Sequence, residues 1–322
     1  MTSPSPKPGW FLAVCVLGAM LCGAGIATQA RINGELSLRI GDGVLAALIS
    51  FGTGLIIVSV VMLAVRSGRD GFVKVRTAVT DRSIPWWYVV GGVAGAFLVL
   101  SQGLVAAILG VALFSVGVVA GQTLSGLLID RQGLGSMGAK PITLARVVGA
   151  VLALAAVIFS GANQLHGDEP LWMIALPFIA GLGIAWQQAV NGQVREVSGS
   201  AITATFINFL VGTTVLLVAT LVHLTWAGLP TELPTDPVVY LGGVVGVVFI
   251  AGGAILVRFL GVLLLSLGTI AGQLIASLIL DIVIPAKGHE LALTTVIGTL
   301  LTLVAVVITA VPKRAASGTA RG

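Results

Sequence analysis

The sequence predicts an all-α integral membrane protein with ten transmembrane helices, arranged as two inverted five-helix repeats. Three observations lead there: an apolar composition, ten apolar segments of spanning length, and a duplication that covers both halves. Of 322 residues, 57% are AVILMFWYC and 9% are charged, with 43 glycines besides. A soluble domain carries roughly 25% charged residues. So few charges cannot cover a soluble globule of this size, which excludes a soluble enzyme. Disorder needs low hydrophobicity and high charge, the reverse of this composition.

A spanning helix needs about 20 apolar residues. In chain order the expected spans are Trp10–Ala30, Val44–Val65, Trp86–Val105, Ile108–Ile129 and Ile142–Gly161. Then follow Leu171–Asn191, Ala201–Leu224, Val238–Val257, Phe259–Leu280 and Leu291–Val311. Connections are short, so neighbouring spans run antiparallel. The first segment exceeds the apolar core of a signal peptide, about 7–15 residues, and is read as a retained helix. Cys15 and Cys22 lie seven residues apart in it. That is a rise of about 10 Å, too far for a disulfide.

The second half repeats the first. GIATQARING (Gly25–Gly34) aligns with GIAWQQAVNG (Gly183–Gly192) at an offset of 158, and ISFGTG (Ile49–Gly54) aligns with INFLVG (Ile207–Gly212) at the same offset. Later the offset is 151. There Gly91, Gly92 and Gly95 match Gly242, Gly243 and Gly246, and Gly110–Asp130 matches Gly261–Asp281 with ten identities in 21 positions. Shared Gln, Asn, Ser and Asp at fixed register are hard to obtain by chance. The repeats are expected at 1–165 and 166–322.

Five spans per repeat is odd, so the halves enter the membrane in opposite senses. Fourteen of the 17 Lys and Arg then fall on the side of the two termini, against Arg31, Arg39 and Lys287 on the other. Positive charge marks the cytoplasmic side, which places both termini in the cytoplasm. The basic stretch Arg66–Arg82 is expected as a connection facing anionic lipid.

Inverted repeats suit secondary transport around a midplane site, so functional residues are expected in matched pairs. Gln29 and Asn33 match Gln187 and Asn191, each pair on one helix face by its i, i+4 spacing. These are candidate gate residues, and the plainer reading is amides at helix ends. Ser50 and Asn208, beside Phe51 and Phe209, are a matched cavity-lining candidate. Gln122 and Gln273 lie deep in their spans, where an amide must bond within protein or to a wet cavity. They are candidate substrate contacts, against a role as interhelical glue. Asp130 and Asp281 end their spans as candidate gate or protonation groups, or as interfacial anchors or partners of nearby Arg or Lys. Gly91/Gly95, Gly117/Gly121, Gly242/Gly246 and Gly268/Gly272 are small-xxx-small pairs, expected to join spans 3 with 4 and 8 with 9. Gln102, matched by Gly253, breaks the symmetry.

His166, His223 and His289 are isolated, so no metal site is expected. No phosphate-binding loop with Lys is present and no cofactor is expected. The expected partners are a small-molecule substrate and membrane lipids, not nucleic acid; a homodimer is left open.

These residues resemble the YdcZ-like family of the drug/metabolite transporter superfamily. The motifs are QARINGEL (Gln29–Leu36), ISFGTG (Ile49–Gly54), PWWYVVGGVAGA (Pro85–Ala96), AGQTLSGLLIDRQGLG (Ala120–Gly135) and, in the second half, AGQLIASLILD. The resemblance implies the superfamily's ten-helix fold and transport across the bacterial inner membrane, with export as the expected direction. Small four-helix relatives couple export to protons through a glutamate in their first helix. No acid lies between Trp10 and Ala30 here. A polar, nearly uncharged cavity suits a neutral, zwitterionic or weakly ionised solute, moved by alternating access, better than a strong cation. A flippase for lipid-linked substrates and a non-transporting scaffold are the alternatives; a membrane enzyme lacks its acid and metal motifs.

Overall fold

The structure, a computed structural model, describes residues 9–134, 142–160, 172–228, 230, 232–285 and 292–310. Lys287, His166, His289, the 165/166 boundary and the expected span ends Gly161, Leu171, Leu291 and Val311 lie outside these residues. The described residues are helical, without strands. Seven helical stretches are long and apolar enough to cross a membrane: Trp10–Ile40, Gly43–Ala64, Trp86–Leu109, Val111–Ile129, Trp172–Ser198, Ala201–Ala227 and Leu265–Val283. Shorter apolar helices at Leu144–Ser160, Gly242–Gly253 and Leu293–Ile308 lie at the other three expected spans. Large apolar side chains point outward along these helices, among them Leu21, Ile56, Val60, Ile158 and Leu221. Such a surface needs lipid to cover it, and the chain is a multi-pass membrane protein.

Helix α1 runs Gly9–Ile40, ten residues past the expected end at Ala30. Beyond Ala30 the helix keeps a buried face, with Asn33 and Leu36 fully buried, while Arg39 on the other face is exposed. Gly41, at φ +75°, closes it with its N–H on the Ser37 carbonyl at 2.8 Å, a left-handed cap that suits glycine. Asp42 then opens α2 (Gly43–Ala64) by accepting the Val44 and Leu45 N–H groups at 2.8 and 3.0 Å.

The basic stretch is not an open connection. Arg66–Thr80 forms α3, an amphipathic helix too short and too charged to span. Gly68, Gly71, Val75 and Ala78 make its buried stripe. Thr203 Oγ1 donates to the Gly68 carbonyl at 2.9 Å and ties α3 to the bundle.

The third span is segmented. A 3-10 turn (Trp86–Val90) leads into α4 (Gly92–Ser101), then a π-helical turn (Gln102–Ala106) and a single turn α5 (Ala107–Leu109). Gly110 at φ +80° separates it from α6 (Val111–Gln132). Next come α7 (Leu144–Ser160), α8 (Trp172–Ser198) and α9 (Ala201–Ala227). A 3-10 turn (Pro237–Tyr240) precedes α10 (Gly242–Val283), and α11 spans Leu293–Ala310.

Expected spans 8 and 9 share α10, which folds back along α1. Its first limb descends α1: Gly242 meets Asn33, Gly246 meets Gln29, Phe249 meets Gly25 and Leu256 meets Gly18. Its second limb returns: Gly268 meets Ala19, Gly272 meets Met20 and Thr269 and Gln273 meet Gly23.

The glycine pairs do not join spans 3 with 4 or 8 with 9. Gly91, Gly92 and Gly95 face α8 and α9, while Gly117 and Gly121 face α8 at Pro177 and Phe178. Gly242, Gly243 and Gly246 face α1 and α2, and Gly268 and Gly272 face α1. Each flat glycine face admits backbone from the other half of the sequence. A Cβ on Gly92 would lie 2.1 Å from the Asn208 carbonyl, and one on Gly243 would lie 2.2 Å from the Ser50 carbonyl. The closest backbone approaches at these glycines thus fall to helices distant in sequence.

Candidate functional site

Two buried amide clusters flank the centre of the bundle. The first joins α1, α2, the π-turn and the start of α10. Gln29 Nε2 donates to the Gly242 carbonyl at 2.9 Å, and Asn33 Nδ2 donates to Gln102 Oε1 at 2.7 Å. Ser50 closes the cluster: a Cβ on Gly242 would lie 2.1 Å from Asn33 Oδ1 and 2.8 Å from Ser50 Oγ. Only glycine at 242 lets these groups meet.

The second cluster joins α8, α9 and the start of α4. Asn208 Oδ1 accepts from Gln187 Nε2 at 2.8 Å and from Asn191 Nδ2 at 3.1 Å. Gly91 and Gly95 lie against Asn191 and Gln187, as Gly242 and Gly246 lie against Asn33 and Gln29. Thus Gln29, Asn33 and Ser50 come together, and so do Gln187, Asn191 and Asn208. None of these amides sits at a frayed helix end.

The two clusters differ where the sequence halves differ. Asn208 is the shared acceptor in the second. Its match Ser50 is too short for that role, and Gln102 accepts in its place. Sequence reading noted Gln102 only as a break in symmetry. Its position in a π-turn, a feature frequent at functional sites, is visible only in the fold.

Both clusters leave hydrogen-bonding capacity unused. Asn33 Oδ1, Ser50 Oγ and Gln102 Nε2 lack partners in the first, and Gln187 Oε1 and Asn208 Nδ2 lack them in the second. A buried polar group without a partner costs about 1–3 kcal/mol and is rare enough to require a reason. Each cluster therefore holds both a free donor and a free acceptor.

Between the clusters, Phe51 and Phe209 stack with centroids 5.0 Å apart and planes 41° apart. Phe51 covers Gly212, and Phe209 covers Gly54.

The deep glutamines are not joined to the clusters. Gln122 Nε2 donates to Gln188 Oε1 at 3.2 Å, not to Gln187. Gln273 is 2% exposed and its Nε2 has no partner. The residue matching Gln188 is Ala30, so α1 offers Gln273 no equivalent side chain. Gln188 escaped sequence reading because its match is apolar.

Asp281 is buried at 5% exposed near the end of α10. Its carboxylate accepts the Val111 and Ala112 N–H groups at 3.0 and 2.7 Å, the first turn of α6. A carboxylate suits the positive end of a helix dipole. This contact bridges spans 9 and 4. Asp130 lies in the last turns of α6, and its side chain is outside the described part.

A model of the family described as "Putative inner membrane exporter, YdcZ" matches residues 14–159 and 172–308. No curated protein matches the chain. A solved crystal structure, described only as that of a protein, superposes with TM-score 0.53 at 18% identity. The match covers 92% of this chain and 94% of the other, and its likeness extends to the fold alone.

Proposed function

The chain belongs to the family described as "Putative inner membrane exporter, YdcZ", and from that premise we propose that it is a secondary transporter of a small organic solute, working by alternating access. In this reading the ten expected spans form two inverted repeats, 1–165 and 166–322, with both termini in the cytoplasm. The Gln29–Asn33–Ser50 cluster is then the outer gate, and the Gln187–Asn191–Asn208 cluster is the inner gate. Asp281 fastens the outer side, and Asp130 holds the matching place inside. Gln122 and Gln273, one in each half, contact the solute between the gates.

One observation carries the reading: matched amide clusters on either side of the Phe51–Phe209 pair, each with buried donors and acceptors left free. A static core would satisfy them. A gate that opens and closes needs contacts that part without leaving charge behind, and amide pairs meet that need at about 0.6–1 kcal/mol each. The lining offers donors and acceptors with little charge, which suits a neutral or zwitterionic solute. The amphipathic α3 rests at the cytoplasmic surface, with Arg66, Arg69, Lys74 and Arg76 turned toward anionic headgroups.

The test is a thermal-shift screen of detergent-purified protein against metabolites and drug-like solutes, with Gln122→Leu/Gln273→Leu alongside. A ligand at 100 times its Kd stabilises by about 2.7 kcal/mol. The reading requires a hit that is lost in the folded double variant. A hit that binds the double variant equally well rejects the glutamine site.

A further inference from the structure

Asp281 is the one acid among the buried residues described. A buried ionisable group within a spanning segment is expensive and marks function by default. Backbone donors hold its carboxylate in place. Val111 and Ala112 both present N–H donors to it, and a Cβ on Gly110 would lie 2.9 Å from Asp281 Oδ2. Hydrogen bonds to a charged acceptor are about twice as strong as neutral ones. A carboxylic acid would add an O–H donor facing two N–H donors.

The charged neighbours are few. From α1, Arg31 interacts electrostatically with Asp281, and its Nη2 donates to the Pro285 carbonyl at 3.4 Å. Beyond it Glu35 and Arg39 pair with each other at 2.8 Å. The facing turn of α5 and α6, residues 107–114, carries no titratable side chain, nor do α2 and α11. From α9, His223 is held by Asp42 at 3.2 Å.

We propose that Asp281 is a proton-sensitive latch: protonation from the outer face releases the contact between α10 and α6 and lets the outer gate open. One proton passes from water at the outer face to a carboxylate oxygen. The two N–H contacts then lose the negative charge that holds them, and the outer gate can part. When the proton leaves again to the outer face, the carboxylate returns to the α6 N-terminus and the gate recloses. This rests on the alternating-access reading and adds a proton switch on its outer gate. The acid sits in span 9 and not in the first helix.

Leu109, 6% exposed beside the latch, serves as reporter. Leu109→Cys is placed in a Cys15→Ala/Cys22→Ala background and reconstituted in liposomes. Its labelling by an impermeant maleimide is divided at each pH by that of Leu233→Cys, an exposed position in the connection after α9 on the same side as Leu109, which removes the reagent's own pH dependence. Between about pH 8 and about pH 5 the ratio should rise about tenfold or more, as expected for losing charge-assisted hydrogen bonds. In Asp281→Asn it should be high and flat. A flat ratio in the parent, or an equal rise in Asp281→Asn, overturns the proton site, and the parent titration stands even if the variant misfolds. Asn33→Leu opens the same gate without touching Asp281. High labelling there with a flat parent rejects the proton site alone. Low labelling in every variant at every pH rejects alternating access as well.

Discussion

Phe51 and Phe209 each lie over the glycine that follows the other's position by three: Phe51 covers Gly212 and Phe209 covers Gly54, with the rings 5.0 Å apart. The same two motifs, ISFGTG and INFLVG, thus pack against each other, each supplying a ring and a seat. A Cβ on either glycine would come within 2.3 Å of a ring carbon. Gly54→Ala and Gly212→Ala should each destabilise by about 1–3 kcal/mol through overpacking. Phe51→Leu and Phe209→Leu should couple by about 0.5–1.5 kcal/mol in a double-mutant cycle. Reversible unfolding in mixed micelles measures both, and additive effects of the two Phe variants would show that the rings do not interact.

Asp42 has two separable jobs. Its Oδ1 caps α2, and its Oδ2 meets His223 Nε2 at 3.2 Å. Asp42→Ala should cost about 0.5–2 kcal/mol as a lost cap. Asp42→Asn keeps a capping oxygen and should cost clearly less. The same unfolding assay compares them, and equal losses would assign the effect to the His223 pair instead.

Gly71 seats α3 on the bundle. A Cβ there would lie 2.5 Å from Thr203 Oγ1 and 3.1 Å from the Ser198 carbonyl. Gly71→Val should lift α3, raising hydrogen exchange across residues 66–80 while α2 stays protected. Unchanged exchange in α3 would mean that its docking does not depend on this contact.

The termini should both report a cytoplasmic location. Fusing an activity that works only in the cytoplasm, and another that works only outside, to each end decides it. Opposite sides for the two ends would end the ten-span inverted arrangement.

Much of this was legible because membrane helices write their length directly into composition. The ten apolar segments coincide with helical stretches, and the matched pairs Gln29/Gln187, Asn33/Asn191 and Ser50/Asn208 do gather into two clusters. Gln102 and Gln188 were harder. Each lacks a polar match in the other half, so symmetry, the signal that found the rest, passed over them. The glycine faces were recognised as packing surfaces but given to sequence neighbours. Spacing tells which face is flat and not which helix lies on it.

The sequence by itself determined that the chain lives in lipid, how many apolar segments it carries, and which residues repeat. Those are local properties, set by hydrophobic length and by identity at fixed offsets. Only the tertiary structure decided what the repeated residues touch. Asp281 meets the α6 N-terminus 169–170 residues away in sequence, and Gln29 meets Gly242 across 213. Such contacts exist because glycine faces let distant backbones approach within hydrogen-bond reach, and no short-range pattern records which backbone arrives.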